Sequence, residues 1–365
     1  MRPLLVALLA LTLGGASAAD DPVTGDIYVV SSTGGASLAL TSTPGDQPAL
    51  SPDGRTIAYA ASGGLWLMKA DGSEQRPLGT SAGERPQWAP DGRSLVYTGA
   101  NFDLCIPPAQ RCVVAEVSRV NADGSGDRNL FYAADHPLWS PNGRRLLFRD
   151  FVVGEVGQAV GALKVAWPDG SHGRTLFRGE AIDGVHALPT WSPDGKWIAF
   201  NIWRGENHVL YVMRADGSHL RRLIDGTYPA WSPNGKLIAY DYRRPGWSID
   251  EIWIARADGS DAHQLTHLRQ VSTLPSWSPN GSRIAFQSNV YGGHFEIYSI
   301  GLDGSGLSRE TRSSTDTIQP AWSPRGNEIA FSRDGAIWTV DRVGREHELT
   351  SGGNDSSPSW RPLAR

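Results

Sequence analysis

Five residues, Trp191-Ser192-Pro193-Asp194-Gly195, decide the fold, because close copies of them recur through the whole chain. The other complete copies are Leu50-Ser51-Pro52-Asp53-Gly54, Trp88-Ala89-Pro90-Asp91-Gly92, Trp139-Ser140-Pro141-Asn142-Gly143, Trp231-Ser232-Pro233-Asn234-Gly235, Trp277-Ser278-Pro279-Asn280-Gly281 and Trp322-Ser323-Pro324-Arg325-Gly326. A partial copy is Trp360-Arg361-Pro362. The turn prolines are 38 to 52 residues apart. Such a period is typical of an array of repeated supersecondary units.

Each repeat predicts four short strands. In the motif, proline sets φ for a tight turn and glycine takes the position that needs a positive φ. An apolar run that ends in an aromatic residue follows, as in Ile198-Ala199-Phe200, and predicts a strand. A further apolar run leads to a second turn such as Ala215-Asp216-Gly217-Ser218, and Asp-Gly between apolar runs favours a hairpin. One repeat is therefore predicted to be an antiparallel meander of strands A to D.

A four-stranded sheet cannot bury both of its faces alone, so the copies must stack on one another. Radial stacking of such sheets gives a β-propeller, and we predict an all-β propeller that forms a single domain over residues 19–365. The literal count is eight blades, and seven is the alternative. Residues 26–41 match strands C and D, and residues 358–362 match strand A. The two ends are therefore expected to share one closing blade that lacks strand B.

The N-terminal residues have the pattern of a secretory signal peptide over residues 1–18. Arg2 precedes an apolar run, and Ala16-Ser17-Ala18 resembles a cleavage site. Cleavage would make the protein periplasmic or secreted. No later run is apolar and long enough to cross a bilayer, so the chain is not expected to span a membrane.

Charge and cysteine content narrow the function further. The net charge is −4 and basic residues are not clustered, which argues against nucleic acid as a partner. The only two cysteines are Cys105 and Cys112, in a proline-containing loop. In an oxidising compartment they are expected to form a disulfide.

The long connections predict where binding takes place. They join strands B and C, at residues 98–116, 149–162, 201–208, 241–251 and 287–296, whereas the A–B and C–D turns stay short. In a meander the B–C and D–A connections emerge on one face, and loops held by a rigid scaffold often carry function. Aromatic and Arg side chains are enriched at binding hot spots. The candidate binding residues on this face are Trp203, Arg204, Tyr228, Tyr242, Arg243, Arg244, Trp247 and Tyr291. The alternative is that these rings only pack the loops down.

The pattern Pro-x-Trp-Ser-Pro-Asp/Asn-Gly-x-x-Ile-Ala-Phe/Tyr, followed by Ala-Asp-Gly-Ser, resembles the TolB-type propeller repeat, a relative of the WD repeats. The resemblance covers nearly all of the chain after residue 18. It implies an exported, non-enzymatic, monomeric scaffold that needs no cofactor and binds a protein or a cell-envelope polymer. The α/β domain that precedes the TolB propeller is not expected here, because the repeats begin close to the predicted cleavage site.

Two enzyme classes contain the same repeat. Prolyl-oligopeptidase-type peptidases add a hydrolase domain, for which the repeats leave no residues. Oligogalacturonate lyases place a metal-binding histidine cluster in the propeller, so a metal-dependent lyase or hydrolase acting on oligosaccharides is the alternative function. The candidate metal ligands are His136 and His186, and an acidic arc of Asp46, Glu84 and Asp135 would attract a cation. A purely structural role in a larger assembly is a third hypothesis.

Overall fold

The computed structural model describes residues 7–9, 28–30, 38–39, 45–61, 63–79, 83–101, 114–153, 159–179, 189–204, 207–243, 249–290, 293–349 and 358–360. Every regular element in these ranges is a β-strand, so the all-β prediction is confirmed. In this part of the chain, no helix has the length and hydrophobicity to cross a membrane.

The described strands form seven antiparallel sheets, six with four strands and one with seven. The strands of the first half are β1 (Ala7–Leu9), β2 (Tyr28–Val30), β3 (Leu38–Ala39), β4 (Gly45–Leu50), β5 (Thr56–Ala61), β6 (Gly64–Lys69), β7 (Arg76–Pro77), β8 (Gly83–Trp88), β9 (Ser94–Asn101), β10 (Val114–Asn121), β11 (Arg128–Tyr132), β12 (Ala134–Trp139), β13 (Leu146–Val153), β14 (Ala159–Ala166) and β15 (Arg174–Arg178). Those of the second half are β16 (Thr190–Trp191), β17 (Trp197–Arg204), β18 (Asn207–Arg214), β19 (Arg221–Trp231), β20 (Leu237–Arg243), β21 (Asp250–Arg256), β22 (His263–Gln264), β23 (Ser272–Trp277), β24 (Arg283–Ser288), β25 (Glu296–Gly301), β26 (Ser308–Arg309), β27 (Thr317–Trp322), β28 (Glu328–Arg333), β29 (Ala336–Asp341), β30 (Glu346–Glu348) and β31 (Pro358–Trp360).

The seven-stranded sheet, β16 to β22, contains two repeats that share one strand. The first half of β19 pairs with β18, and its second half pairs with β20. Strand D of one repeat thus runs without interruption into strand A of the next. The described strands thus form seven continuous sheets, one of which contains two repeats.

The first and last strands lie in one sheet, in the order β3-β2-β1-β31. Leu8 of β1 pairs with Val29 on one side and with Ser359 on the other. The shared sheet agrees with the sequence prediction. The prediction that this sheet lacks strand B is wrong, because the sheet has four strands. A strand from within residues 1–18 takes that place, where it pairs with backbone groups of both neighbours.

Consecutive sheets stack through their first strands. Strand β4 contacts β8, β8 contacts β12, β19 contacts β23, and β23 contacts β27. The second and third strands supply the core between the sheets. Phe200 of β17 and Tyr211 of β18, for example, pack with Leu163 of the preceding sheet in one buried cluster. Such burial compensates for the small core of each single sheet.

In four of the described repeats, the motif tryptophan links the repeat to the one before it. Its indole N–H donates to the backbone carbonyl of the residue that precedes the motif Trp or Leu of the previous repeat. The described bonds run from Trp88 to Ala49 (2.9 Å), from Trp139 to Gln87 (3.2 Å), from Trp231 to Thr190 (3.3 Å) and from Trp277 to Ala230 (2.9 Å). We call this contact the indole link. It explains why the sequence repeats a Trp at this position.

The C–D turns also contact the preceding repeat. Gly259 has φ +79°, and a Cβ built on it would lie 2.4 Å from Cδ2 of Leu223. Leu223 belongs to the part of β19 that forms strand D of the previous repeat. Only glycine tolerates both this φ and this close approach.

Two connections are shorter than the sequence predicts. Strand β17 continues to Arg204 and β18 begins at Asn207, so most of the expected loop 201–208 is a hairpin. Ile202 and Val209 pair across it and are buried, which stabilises the longer strands. Likewise, β13 ends only at Val153 and β14 begins already at Ala159, so both strands extend into the expected loop 149–162.

Candidate functional site

A β-bulge interrupts the first strand of the repeats at the residue before a second proline, which lies two positions ahead of the motif Trp or Leu. The ladder shifts there in six sheets or half-sheets. Five residues at this position have positive φ: Arg85 (+54°), His136 (+50°), Tyr228 (+48°), Leu274 (+56°) and Gln319 (+59°). We call them the bulge residues. A residue before proline normally stays extended, and a bulky side chain rarely adopts positive φ. Bulges re-aim side chains and occur beside functional sites.

The preceding repeat holds the bulge in place. The backbone N–H of His136 donates to Oγ1 of Thr98 over 3.3 Å. In another sector, the backbone N–H of Gln319 donates to Oε1 of Gln287 over 3.0 Å. Thr98 and Gln287 occupy the same position in their repeats, directly after the aromatic residue of the second strand. Side chains of one sheet thus fix the backbone from which the next sheet presents its bulge residue.

His136 lies at the centre of a mostly buried cluster of charged groups. Its Nε2 contacts Nη1 of Arg85, and its Nδ1 lies 3.0 Å from Oδ2 of Asp135 and 2.8 Å from Nη2 of Arg149. Arginine only donates, and a neutral imidazole has a single accepting nitrogen. With Nε2 accepting from Arg85, Nδ1–H donates to Asp135, and the close approach of Nη2 of Arg149 to Nδ1 is not a hydrogen bond. Burial and the charges of Arg149 and Arg85 lower the pKa of His136.

Asp135 is the counter-ion of this cluster. Nε of Arg149 donates to Oδ1 of Asp135 over 2.7 Å, and Nη2 contacts the other carboxylate oxygen. Burial opposes the charge on Asp135, but the hydrogen bonds from His136 and Arg149 lower its pKa. The carboxylate is thus already neutralised by protein groups. It joins His136 to Arg149 instead of contributing to the predicted acidic arc.

A second cluster surrounds the bulge residue Tyr228, which is 57% exposed. Asp241, 3% exposed, accepts a hydrogen bond from Oγ1 of Thr227 at Oδ2 (3.0 Å), whereas its Oδ1 is buried without a hydrogen-bond partner. Burial, with a contribution from the charge of Asp250, raises the pKa of Asp241 to about 7. Asp250 is bound by Nε and Nη2 of Arg243 at 3.1 and 2.8 Å. Burial and the charges of Asp241 and Asp250 raise the pKa of Tyr228.

Several predicted binding residues lie on strands and not on loops. Trp203 and Arg204 end β17, where Trp203 pairs with His208; their side chains lie outside the described residues. Tyr242 of β20 packs edge-on against Trp253, with ring centroids 5.2 Å apart. Tyr242 lines a cavity of about 290 Å³ together with His267 and Arg269.

The remaining predicted site residues lie outside the described part of the chain. They are Arg244, Trp247, Tyr291, His186, Cys105 and Cys112, together with the side chain of Asp46. Glu84 is exposed on β8. Among the described residues, no group of three or more His, Cys, Asp or Glu side chains is placed to hold a metal ion.

The sequence also contains a Gly-x-Ser-x-Gly pattern, Gly79-Thr80-Ser81-Ala82-Gly83. A nucleophile elbow places this pattern between a strand and a helix. Here it connects the strands β7 and β8, and Ser81 itself lies outside the described residues. The pattern therefore lacks the structural context of a hydrolase nucleophile.

Sequence reasoning missed three of the bulge residues, Arg85, Leu274 and Gln319. It singled out His136 and Tyr228, but as a metal ligand and as an aromatic contact. The signal was present, because this residue changes from copy to copy although the proline that follows it is the same in every copy. Its importance depends on a positive φ that proline neighbours do not normally have.

Comparisons with known proteins bear on the fold. Residues 225–365 match the family model described as the TolB beta propeller domain. The repeats within residues 225–365 are thus similar to those of the TolB propeller. The Tol-Pal system protein TolB of Thioalkalivibrio sulfidiphilus is 36% identical to this TolB-like propeller over 72 residues, which are 20% of this chain and 16% of that protein. The TolB-like propeller thus aligns with about a sixth of the length of this relative.

Solved structures support the fold. The propeller domain of the Trilobed protease from Pyrococcus furiosus has a TM-score of 0.54 at 13% identity, over 84% of this chain and 97% of the other. An oligogalacturonate lyase from Vibrio parahaemolyticus has a TM-score of 0.57 at 13% identity, over 93% and 99% of the two chains. At this identity, the likeness shows that the TolB-like chain is a β-propeller and carries no conclusion about activity.

Proposed function

We propose that this chain is an exported, non-enzymatic scaffold that binds a protein or a cell-envelope polymer on the face of its D–A and B–C connections. The observation that supports this function is the series of bulge residues. Five positions share one backbone geometry and present Arg, His, Tyr, Leu and Gln side chains. A recognition surface needs chemically different groups held on a rigid frame. A merely structural bulge would not need this variety.

Tyr228 is the centre of the proposed surface. Its side chain is 57% exposed. It lies next to the second charged cluster, which contains Asp241, Asp250 and Arg243. The surface is completed by the other candidate residues, Trp203, Arg204, Tyr242, Arg244, Trp247 and Tyr291. The protein would act as a periplasmic or secreted monomer, without a cofactor and without nucleic acid as a partner. The proposed loss of residues 1–18 would remove β1 from the sheet that it forms with β2 and β31.

Binding assays with a matched control test this proposal. Purified protein is incubated with isolated peptidoglycan and, separately, with an envelope protein extract followed by cross-linking and mass spectrometry. The variant Tyr228→Ala is expected to reduce capture about tenfold, the effect of losing one hot-spot side chain. Leu307→Ala is the control, because Leu307 is also exposed (45%) but lies in the C–D turn between β25 and β26, at the strand ends opposite the proposed face. Equal capture by the wild type and Tyr228→Ala would contradict the placement of the surface.

Metal analysis separates the scaffold from the alternative enzyme. The protein is purified without chelators and its transition-metal content is measured for the wild type and for His136→Gln and His186→Gln. We expect no stoichiometric metal, since Arg85 and Arg149 approach both ring nitrogens of His136. One equivalent of metal that is lost in both variants would instead support the metal-dependent lyase or hydrolase.

A further inference from the structure

Two consecutive repeats contain an equivalent buried acid on their third strand. In the repeat β19 to β22, Glu251 accepts a hydrogen bond from Oγ1 of Thr266. In the repeat β23 to β26, Glu296 accepts from Oγ1 of Thr311 in the same way. Glu251 is 8% exposed and Glu296 is 3% exposed. Carboxylates buried to this extent are normally paired with a positive charge.

Glu296 has such a partner. Nη2 of Arg309 donates to Oε1 of Glu296 over 3.0 Å, and Nε of Arg309 donates to the backbone carbonyl of Thr311. The residue equivalent to Arg309 in the repeat of Glu251 is Gln264. Both residues pair with the aromatic residue of their third strand, and Nε2 of Gln264 likewise donates to the backbone carbonyl of Thr266.

Glu251 lacks such a partner. Gln264 carries no charge, and among the described residues no Lys or Arg forms an ion pair with Glu251. Instead, Glu251 and Gln264 line the cavity of about 290 Å³ that Tyr242 and Trp253 also line. Glu251 pairs with Tyr242, and Gln264 pairs with Trp253, so all four side chains lie on one face of the sheet. The acid therefore lies on the face that borders the cavity.

A third repeat also supplies a guanidinium at this place. In the repeat β27 to β30, Arg333 has the position of Tyr242, and Trp338 has that of Trp253. The guanidinium of Arg333 lies 4.9 Å from the ring centroid of Trp338, and its Nη1 donates to Oε2 of Glu346 over 2.6 Å. Two repeats thus pair an acid on this side of the sheet with an arginine of the chain itself.

The cavity has the size and the walls for one guanidinium. Its volume is just below the roughly 300–1,000 Å³ of small-molecule sites, which fits a single side chain. The rings of Tyr242 and Trp253 meet edge to face, with centroids 5.2 Å apart, and aromatic faces attract a guanidinium. His267 and Arg269 also line the cavity, but both are exposed, so water and salt screen the charge of Arg269.

We propose that this cavity binds an arginine side chain of a partner protein. The site deepens the function proposed above and rests on it, because Tyr242 belongs to the same surface. The guanidinium donates to the carboxylate of Glu251 and lies against the ring of Trp253, as Arg309 and Arg333 do with the acid and the ring of their repeats. Its planar donors fit a carboxylate better than an ammonium group does.

NMR of the full chain labelled with ¹⁵N-tryptophan tests this site. The probe is N-acetyl-arginine amide, and N-acetyl-citrulline amide, its neutral isostere, is the charge control. The arginine probe should shift the indole signal of Trp253, whereas that of Trp338, which already lies beside Arg333, should stay in place. We expect the citrulline probe to bind at least tenfold more weakly.

Two outcomes of the titration would overturn the proposal. One is equal binding of the arginine and citrulline probes. The other is an unshifted Trp253 signal at about 50 mM arginine probe, well above the millimolar affinity expected of so small a ligand.

Variants locate the site. Glu251→Gln keeps an acceptor for Thr266 but removes the charge, and should weaken binding of the arginine probe about tenfold. Glu296→Gln is the matched control, because Arg309 already occupies the equivalent place, and should leave the affinity unchanged. Equal effects of the two variants would place the probe elsewhere and refute the cavity.

A gain of charge remains informative if Glu251→Gln folds poorly. Gln264→Arg builds the equivalent of Arg309, whose guanidinium should fill the cavity from within. It should weaken binding of the arginine probe at least tenfold and raise Tm. Gln75→Arg adds the same charge to an exposed position beside β7 and should leave the affinity unchanged. Wild-type affinity of Gln264→Arg would contradict the proposed site.

The probe titration and the capture assay with Tyr228→Ala fail separately. If Tyr228→Ala reduces capture but the arginine probe does not bind, the recognition surface stands and the arginine site is refuted. If the arginine probe binds as expected but Tyr228→Ala captures as well as the wild type, the arginine site stands and Tyr228 is not the centre of the surface.

Discussion

Trp277 donates its indole N–H to the backbone carbonyl of Ala230, 2.9 Å away, and so joins two consecutive repeats. Ala230 precedes the motif Trp231, which makes the same bond to Thr190 one repeat earlier. The residue that identifies the repeat in the sequence is therefore also the one that links neighbouring repeats. The Trp side chain that marks the repeat in the sequence thus also contributes to the stability of the fold.

The indole link should contribute measurably to stability. Trp277 and Trp191 are equally buried, at 8% and 9% exposure, but only Trp277 has an acceptor. The substitutions Trp277→Phe and Trp191→Phe remove similar volume, so their difference isolates one hydrogen bond. We expect Trp277→Phe to lower the free energy of unfolding by about 1 kcal/mol more than Trp191→Phe, as measured by urea denaturation. Equal losses would mean that the indole link adds nothing to packing.

The close contact of Gly259 with Leu223 should make this glycine more sensitive to substitution than a turn glycine in open space. Gly344 is the control, because its φ of +80° nearly equals that of Gly259 (+79°) and nothing lies within 4 Å of its built Cβ. Gly344→Ala should cost about 1 kcal/mol through backbone strain alone. Gly259→Ala should cost about 1–3 kcal/mol more, because the new methyl group displaces Leu223. Thermal unfolding of both variants measures the difference, and equal costs would show that Leu223 moves aside freely.

The buried carboxyl of Asp241 should make the protein less stable at alkaline pH. Its pKa of about 7 in the fold lies above the ordinary value of 3.8, so the folded state binds the proton more tightly than the unfolded chain. The resulting stability is fully present below about pH 4 and is lost as the pH rises through about 7.

Asp241→Asn tests this dependence. The amide oxygen still accepts from Thr227, and the ionised form is removed. Urea unfolding at about pH 5 and pH 8 should therefore show a loss of stability in the wild type, with an upper bound of about 3 kcal/mol, and a smaller loss in the variant. An identical pH dependence of both proteins would show that Asp241 does not titrate in this range.

The pKa of His136 should depend on Arg85. Burial and the two arginines lower this pKa from 6.5, and Arg85→Gln removes one of the charges. In an NMR titration, the imidazole signal of His136 should titrate below 6.5 in the wild type and at higher pH in Arg85→Gln. Arg325→Gln, on a different sheet, is the control and should change nothing.

The same shift has a consequence for stability. The folded pKa of His136 lies below the unfolded one, so the unfolded chain takes up the proton first on acidification. This contribution is present above about pH 6.5 and is lost as the pH falls through the folded pKa. A wild-type imidazole that titrates at 6.5 or above would contradict the described cluster.

The sequence by itself determined the local structure of this protein. Proline and glycine at fixed spacing specify the turns, and runs such as Ile198-Ala199-Phe200 specify strands with a buried face, because both effects depend on residues close in the chain. The number of repeats and the all-β class follow from the repetition. The seven sheets do not, since the fusion of two repeats through β19 depends on backbone pairing around Gly226.

Only the tertiary structure decided which side chains carry the candidate chemistry. The positive φ of Tyr228 before a proline, the missing partner of Nε1 in Trp191 and the burial of Asp241 all depend on the neighbouring sheet. The motif copies that begin at Trp191 and Trp277 differ in sequence by one residue. Nevertheless, the indole N–H of Trp277 has a hydrogen-bond acceptor and that of Trp191 has none. The physical reason is that burial and hydrogen bonding are set by groups distant in sequence, which a local pattern does not contain.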